Sequence, residues 1–105
     1  MWFIFPQIEG LGQSATSIRF AIGSIDEAKA YLAHAVLGPR LKECAGLTLD
    51  VEGRTARDIF GPVDEMKFRS SMTLFAKAAP EQDVFQRCLD KYFAGSPDPA
   101  TLARI

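Results

Sequence analysis

Residues 64–75 carry the clearest hydrophobic pattern in the chain: Asp64-Glu65-Met66-Lys67-Phe68-Arg69-Ser70-Ser71-Met72-Thr73-Leu74-Phe75. At about 100° per residue, Asp64, Phe68, Ser71 and Phe75 cluster on one side, flanked by Lys67 and Leu74. Glu65, Arg69, Thr73, Ala76 and Lys77 fall opposite. The spacing predicts an amphipathic helix from Glu65 to about Ala79, stopped by Pro80. Three polar residues, Asp64, Lys67 and Ser71, lie on its apolar side. A polar group turned toward a core must be hydrogen-bonded, or it costs about 1–3 kcal/mol. The structural reading makes Asp64 the helix N-cap, lets Lys67 snorkel outward, and bonds Ser71 back to the carbonyl of Lys67. The functional reading makes the three a pocket lining.

Shorter helical patterns flank this one. Gly10-Leu11-Gly12 is a turn, and Ser14 is placed to cap a helix running to about Ile22, broken by Gly23. Ser24-Ile25-Asp26-Glu27 is a capping box, opening a helix that runs on to Leu37 with Ala28, Tyr31, Leu32 and Ala35 on one face. Gly38 is expected to end it and Pro39 to start the next, with Leu41, Cys44, Ala45 and Thr48 inward as far as Leu49. Thr55 caps a single turn from Ala56 to Phe60, closed by Gly61. After Pro80 the stripe Val84, Phe85, Cys88, Leu89 and Tyr92 predicts another helix, ended by Gly95. Asp98 caps a last short one, Pro99 to Leu102. No alternating strand pattern follows residue 8. The fold class predicted is all-α: a compact bundle of about six short helices joined by Gly/Pro turns.

The chain begins Met1-Trp2-Phe3-Ile4-Phe5-Pro6-Gln7, an apolar run without a cap or charge before it. Such a run must bury against something or stay exposed as an adhesive patch. It reads as a short buried strand, or as the tail of an element whose beginning is missing.

With 105 residues, 48% of them hydrophobic, one helical domain over residues 1–105 is expected. Twelve basic and thirteen acidic residues leave a net charge of −1, and no Lys/Arg run stands out, so no nucleic-acid partner is expected. No apolar run is long enough to span a membrane, and the apolar start lacks the basic leader of a signal peptide, which points to a cytoplasmic protein. Cys44 and Cys88 read as buried free thiols. His34, the sole histidine, lies near a helix C-terminus where the dipole favours its cation, or it contacts a ligand. No residues show metal-site spacing, and neither a metal nor a cofactor is expected.

Several motifs stand in order: Trp2-Phe3-Ile4-Phe5-Pro6-Gln7, Gly10-Leu11-Gly12-Gln13-Ser14, Glu27-Ala28-x-x-Tyr31-Leu32-x-His34, Leu37-Gly38-x-Arg40-Leu41, Phe60-Gly61, Asp64-x-x-Lys67-x-x-Ser70-Ser71-Met72-Thr73-Leu74-Phe75, and Thr101-Leu102. Together they resemble, over essentially the whole chain, the bacterial family catalogued as domain of unknown function 1810. The resemblance implies an all-helical fold and no established activity. Members of that family typically carry a further helical segment before the position of Met1, so the resemblance implies a chain truncated at its N-terminus. Ala35 replaces the family's usual Pro, which implies a straighter helix there.

Two functional expectations follow. The first is a binding or interaction module, forming a homodimer or docking a partner through the apolar N-terminus. The second is a small-molecule binder or hydrolase acting on a nucleotide or an ADP-ribose-like ligand. In it, Trp2 or Phe5 stacks a base, Gln7 hydrogen-bonds it, Lys67 meets phosphate, Asp64 orients a ribose hydroxyl or acts as a base, and Ser71 lines the pocket. The Asp64-x-x-Lys67 spacing is similar to that of helical ADP-ribose N-glycosidases.

Overall fold

The computed structural model describes residues 5–8 and 21–105. Among them are five helices: α1 (Ile25–Ala33), α2 (Leu37–Asp50), α3 (Ala56–Ala78), α4 (Asp83–Phe93) and α5 (Pro99–Leu102). The expected all-α fold class is the one observed. Phe5, Gln7 and Ile8 are buried, and Ile8 forms an isolated parallel bridge with Ile22, whose N–H donates to the Gln7 carbonyl at 2.8 Å. Ile22 is thus extended rather than helical. The rest of the helix expected to start at Ser14 lies outside the described residues.

Side chains set most helix starts, as the sequence suggests. Ser24 Oγ accepts from the Glu27 N–H at 3.1 Å, and Glu27 reaches back to the Gly23 N–H at 2.7 Å. At the head of α3 Thr55 and Asp58 form a reciprocal pair: Thr55 Oγ1 accepts from the Asp58 N–H and Asp58 Oδ2 from the Thr55 N–H, both at 3.0 Å. Asp98 caps α5 through the Thr101 N–H. Each such cap satisfies a backbone donor that the helix itself cannot.

Two boundaries differ from expectation. Helix α1 stops at Ala33 instead of running to Leu37, and α2 begins at Leu37, so that Gly38 and Pro39 lie in its first turn. The cause is His34. Its Nδ1 accepts from the N–H groups of Val36 and Leu37, both at 3.1 Å, capping α2 in place of Val36, which has no capping side chain. The chain turns here without the family's proline, so Ala35 does not straighten the helix. Gly38 is needed for packing. A Cβ at Gly38 would stand 1.9 Å from the Leu32 carbonyl oxygen.

The second difference is in α3. Gly61 interrupts it with φ 82° and ψ 165°, a conformation open to glycine. The helix resumes at once on Pro62, whose fixed φ suits a first turn. Asp64 therefore lies inside the resumed helix instead of capping it.

Helix α3 is the axle of the fold. Phe68, Ser70, Ser71, Met72, Thr73, Leu74 and Phe75 are all buried, so its second half is covered all round rather than on one face. On one side Phe68 meets Phe5, Phe60, Tyr92 and Phe93, with ring centroids between 4.8 and 6.3 Å apart. Further along, Phe75 packs on Tyr31 and Phe85. The side expected to face solvent is covered by the C-terminal segment. Asp98 Oδ2 accepts from Ser70 Oγ at 3.0 Å and from Thr101 Oγ1 at 2.6 Å, while the Asp98 N–H donates to Thr73 Oγ1 at 2.9 Å. The Arg69 guanidinium donates to the carbonyls of Ser96 and Pro97, both at 3.1 Å, and lies over the Phe93 ring. Ser70 and Thr73 thereby serve as a docking surface for this chain's own tail.

Helix α4 closes the opposite end of α2. The Tyr92 hydroxyl donates to the Thr48 carbonyl, and the Lys91 ammonium donates to the carbonyls of Leu49 and Val51. Together with the Val51 N–H, which also donates to the Thr48 carbonyl, these bonds satisfy acceptors at the C-terminus of α2. Cys88 is buried beside the Ala45 carbonyl, to which its thiol donates at 3.4 Å. Cys44 is only half-buried, a correction to its expected place in the core. Both cysteines are free.

Candidate functional site

The polar residues singled out on α3 do form a row. Asp64 and Lys67 pair at 3.5 Å near its solvent end, with side chains 39% and 20% exposed. One turn further in, Ser71 is completely buried. Its hydroxyl does not bond back to Lys67: Ser71 Oγ meets no hydrogen-bond partner among the described residues. That sets it apart from the other buried hydroxyls of the same helix. Ser70 bonds to the Met66 carbonyl and Asp98, and Thr73 to the Arg69 carbonyl. A buried hydroxyl left open costs about 1–3 kcal/mol, so a native chain that keeps one there has a feature calling for an explanation.

The other residues expected at the site have different roles. Phe5 is 4% exposed and packed edge-on to Phe60 and Phe68, so its ring faces are spent on the core rather than open for stacking a base. The same burial removes Phe5 from any exposed apolar patch. Gln7 is buried and already engaged in interactions of its own. His34 lies in the α1–α2 turn and spends its Nδ1 on capping. Trp2 lies outside the described residues. Of the set, the structure thus brings together Asp64, Lys67 and Ser71. Among the described residues, no three His, Cys, Asp or Glu side chains gather as metal ligands do.

A further cleft lies away from this row. Of about 660 Å³, it opens between α1, α2 and the turn from α3 to α4, and Lys29, Lys42 and Lys77 all line it. These lysines come from three different helices, so no run along the chain announces them. Hydropathy pattern alone carries no signal for such a cluster.

The chain belongs to the family described as "Protein of unknown function (DUF1810)", whose model matches residues 1–105. It is similar to the crystal structure of the conserved hypothetical protein Rv1873 from Mycobacterium tuberculosis. The two chains are 51% identical, the match covers 97% of this chain and 73% of that one, and the TM-score is 0.95. A comparison with curated proteins gives no match. No helix among the described residues is long and apolar enough to cross a membrane.

Proposed function

We propose that this domain is a binding module for a small polar ligand of nucleotide or ADP-ribose type, held along the row Asp64, Lys67 and Ser71. The observation that carries the reading is Ser71 Oγ, fully buried and unpartnered on a helix whose other buried hydroxyls are satisfied. The row offers three complementary functions in sequence: a carboxylate that accepts from ribose hydroxyls, an ammonium that meets phosphate, and a hydroxyl that donates to or accepts from a group inserted past them. The Asp64–Lys67 pair stands nearer solvent, where ligand charge can exchange with it. Because Ser71 is covered in the free protein, a ligand reaches it only as the neighbouring side chains move aside.

Ser71→Ala separates this reading from a purely structural one. Removing an unsatisfied hydroxyl leaves the melt unchanged or slightly raised. Removing a binding group abolishes the rise in melting temperature given by the ligand. Thermal melts with NAD, ADP-ribose and a set of nucleotides should show one that stabilises the wild-type chain, and Ser71→Ala and Lys67→Ala should each lose that shift. If no compound in the set shifts the wild type, or if Ser71→Ala itself collapses the fold, the reading is refuted.

A further inference from the structure

We infer that the cleft between α1, α2 and the α3–α4 turn is a second, separate site, which takes a phosphate-bearing small molecule with a ring or apolar body. This rests on the cleft and not on the α3 row. Lys29 comes from α1, Lys42 from α2 and Lys77 from the last turn of α3. Among the described residues none of the three makes a hydrogen bond or an ion pair. Elsewhere in the same protein, by contrast, basic side chains are employed: Arg57 pairs with Glu65, Arg69 holds the tail, and Lys91 closes α2.

The charge balance at the cleft favours an anion. Among the described residues, Glu81 is the only acidic one lining it. The C-termini of α1 and α3 also end there, each bringing about half a negative charge. Against them stand three ammoniums and the N-terminus of α4, whose N-cap Gln82 lies on the cleft wall and makes no side-chain capping bond. The balance remains positive. An ammonium is a compact charge without the planar fork of arginine, so three converging on one space suit several phosphate oxygens better than one flat carboxylate.

The body of the ligand follows from the remaining wall. Leu32, Ala33, Ala78 and Pro80 supply an apolar surface beside the lysines. A volume near 660 Å³ lies within the range of small-molecule sites, about 300–1,000 Å³. An adjoining hollow of about 390 Å³ shares Lys77, Pro80 and Gln82 and adds Gln86, giving room and amide groups for a ligand longer than its phosphates.

The test is calorimetric titration of the full chain with ATP and, separately, with inorganic tripolyphosphate. The expected result is one ATP per chain, bound more tightly than tripolyphosphate because of the apolar wall, with affinity falling as salt rises. Lys42→Gln and Lys77→Gln should each weaken ATP binding about tenfold or more while keeping the melt of the free protein. Arg104→Gln, an equal loss of charge on an exposed residue outside the cleft, should not. Four results overturn the inference: no ATP binding at low salt; an equal loss from Arg104→Gln; tighter binding of a single-stranded oligonucleotide than of ATP, which would reassign the lysines to nucleic acid; or loss of binding in Ser71→Ala but not in the lysine variants, which would place the anion in the α3 row.

Discussion

Asp98 is where the C-terminal segment is fastened to α3, so Asp98→Ala should release it. The carboxylate accepts three bonds: from Ser70 Oγ, the Thr101 N–H and Thr101 Oγ1. Losing the N-cap of α5 costs about 1 kcal/mol. Thr101 is fully buried, so its hydroxyl is left without an acceptor at a further cost of about 1–3 kcal/mol. Ser70 adds little, because its hydroxyl keeps the Met66 carbonyl at 3.0 Å. The total comes to about 2–4 kcal/mol, a large share of the 5–15 kcal/mol typical of a domain. In urea unfolding followed by circular dichroism, a loss of about 3 kcal/mol moves the midpoint down by about 1–2 M for a chain of this size. Asp98→Asn keeps a good capping oxygen and should lose less than half as much. A midpoint for Asp98→Ala within about 0.3 M of wild type would refute the reasoning, since the tail would then be no part of the cooperative fold.

Three further outcomes follow from the packing. Gly38→Ala forces a Cβ against the Leu32 carbonyl and should destabilise by about 2 kcal/mol or more, whereas Gly46→Ala, with open space at its Cβ and a mid-helix position, should stabilise by about 0.5–1 kcal/mol; paired thermal melts compare them. Burial pushes the Cys88 thiol up to about 12, so thiol titration of the native protein near pH 8 should label only the half-buried Cys44, with Cys88 reacting on unfolding; two fast-reacting thiols would contradict the packing of α4 on α2. The same shift gives alkaline destabilisation. Below pH 9 both states keep the proton, but between 9 and about 12 the unfolded chain sheds it first, so stability falls as pH rises and Cys88→Ala should flatten that fall. Burial also raises Tyr31 and Tyr92, which adds to the fall in the same direction and remains in the variant.

Much of the fold was legible because local chemistry and tertiary packing agree. Ser24, Thr55 and Asp98 cap where their spacing says they should, and the stripe on α4 is the face that is buried. What failed did so for want of tertiary information. Helical periodicity marks one face of α3 as apolar, but Thr73 and Ser70 on other faces are buried because a segment some 25 residues away supplies their partners. His34 stands at a helix C-terminus as its position suggests, but its capping of the next helix is invisible in the sequence, because the donors it accepts from lie at the start of that helix. Gly61 signals a break, yet the sequence does not say that Pro62 restarts the helix at once, which takes Asp64 off the cap. The candidate row is legible as polar residues out of place on an apolar stripe. That Ser71 stays unpartnered while Ser70 beside it is satisfied is visible only in three dimensions. The lysine cleft is assembled from three helices and leaves no trace in local sequence.

The binding proposal is tested most directly by amide NMR spectra of the isotopically labelled chain, titrated with ADP-ribose, NAD and nucleotides. The reading predicts saturable shifts concentrated on residues 64–71 for at least one of them, and their absence in Ser71→Ala. Spectra in which residues 64–71 stay unmoved throughout the series would contradict it, even if signals around Lys29, Lys42 and Lys77 respond.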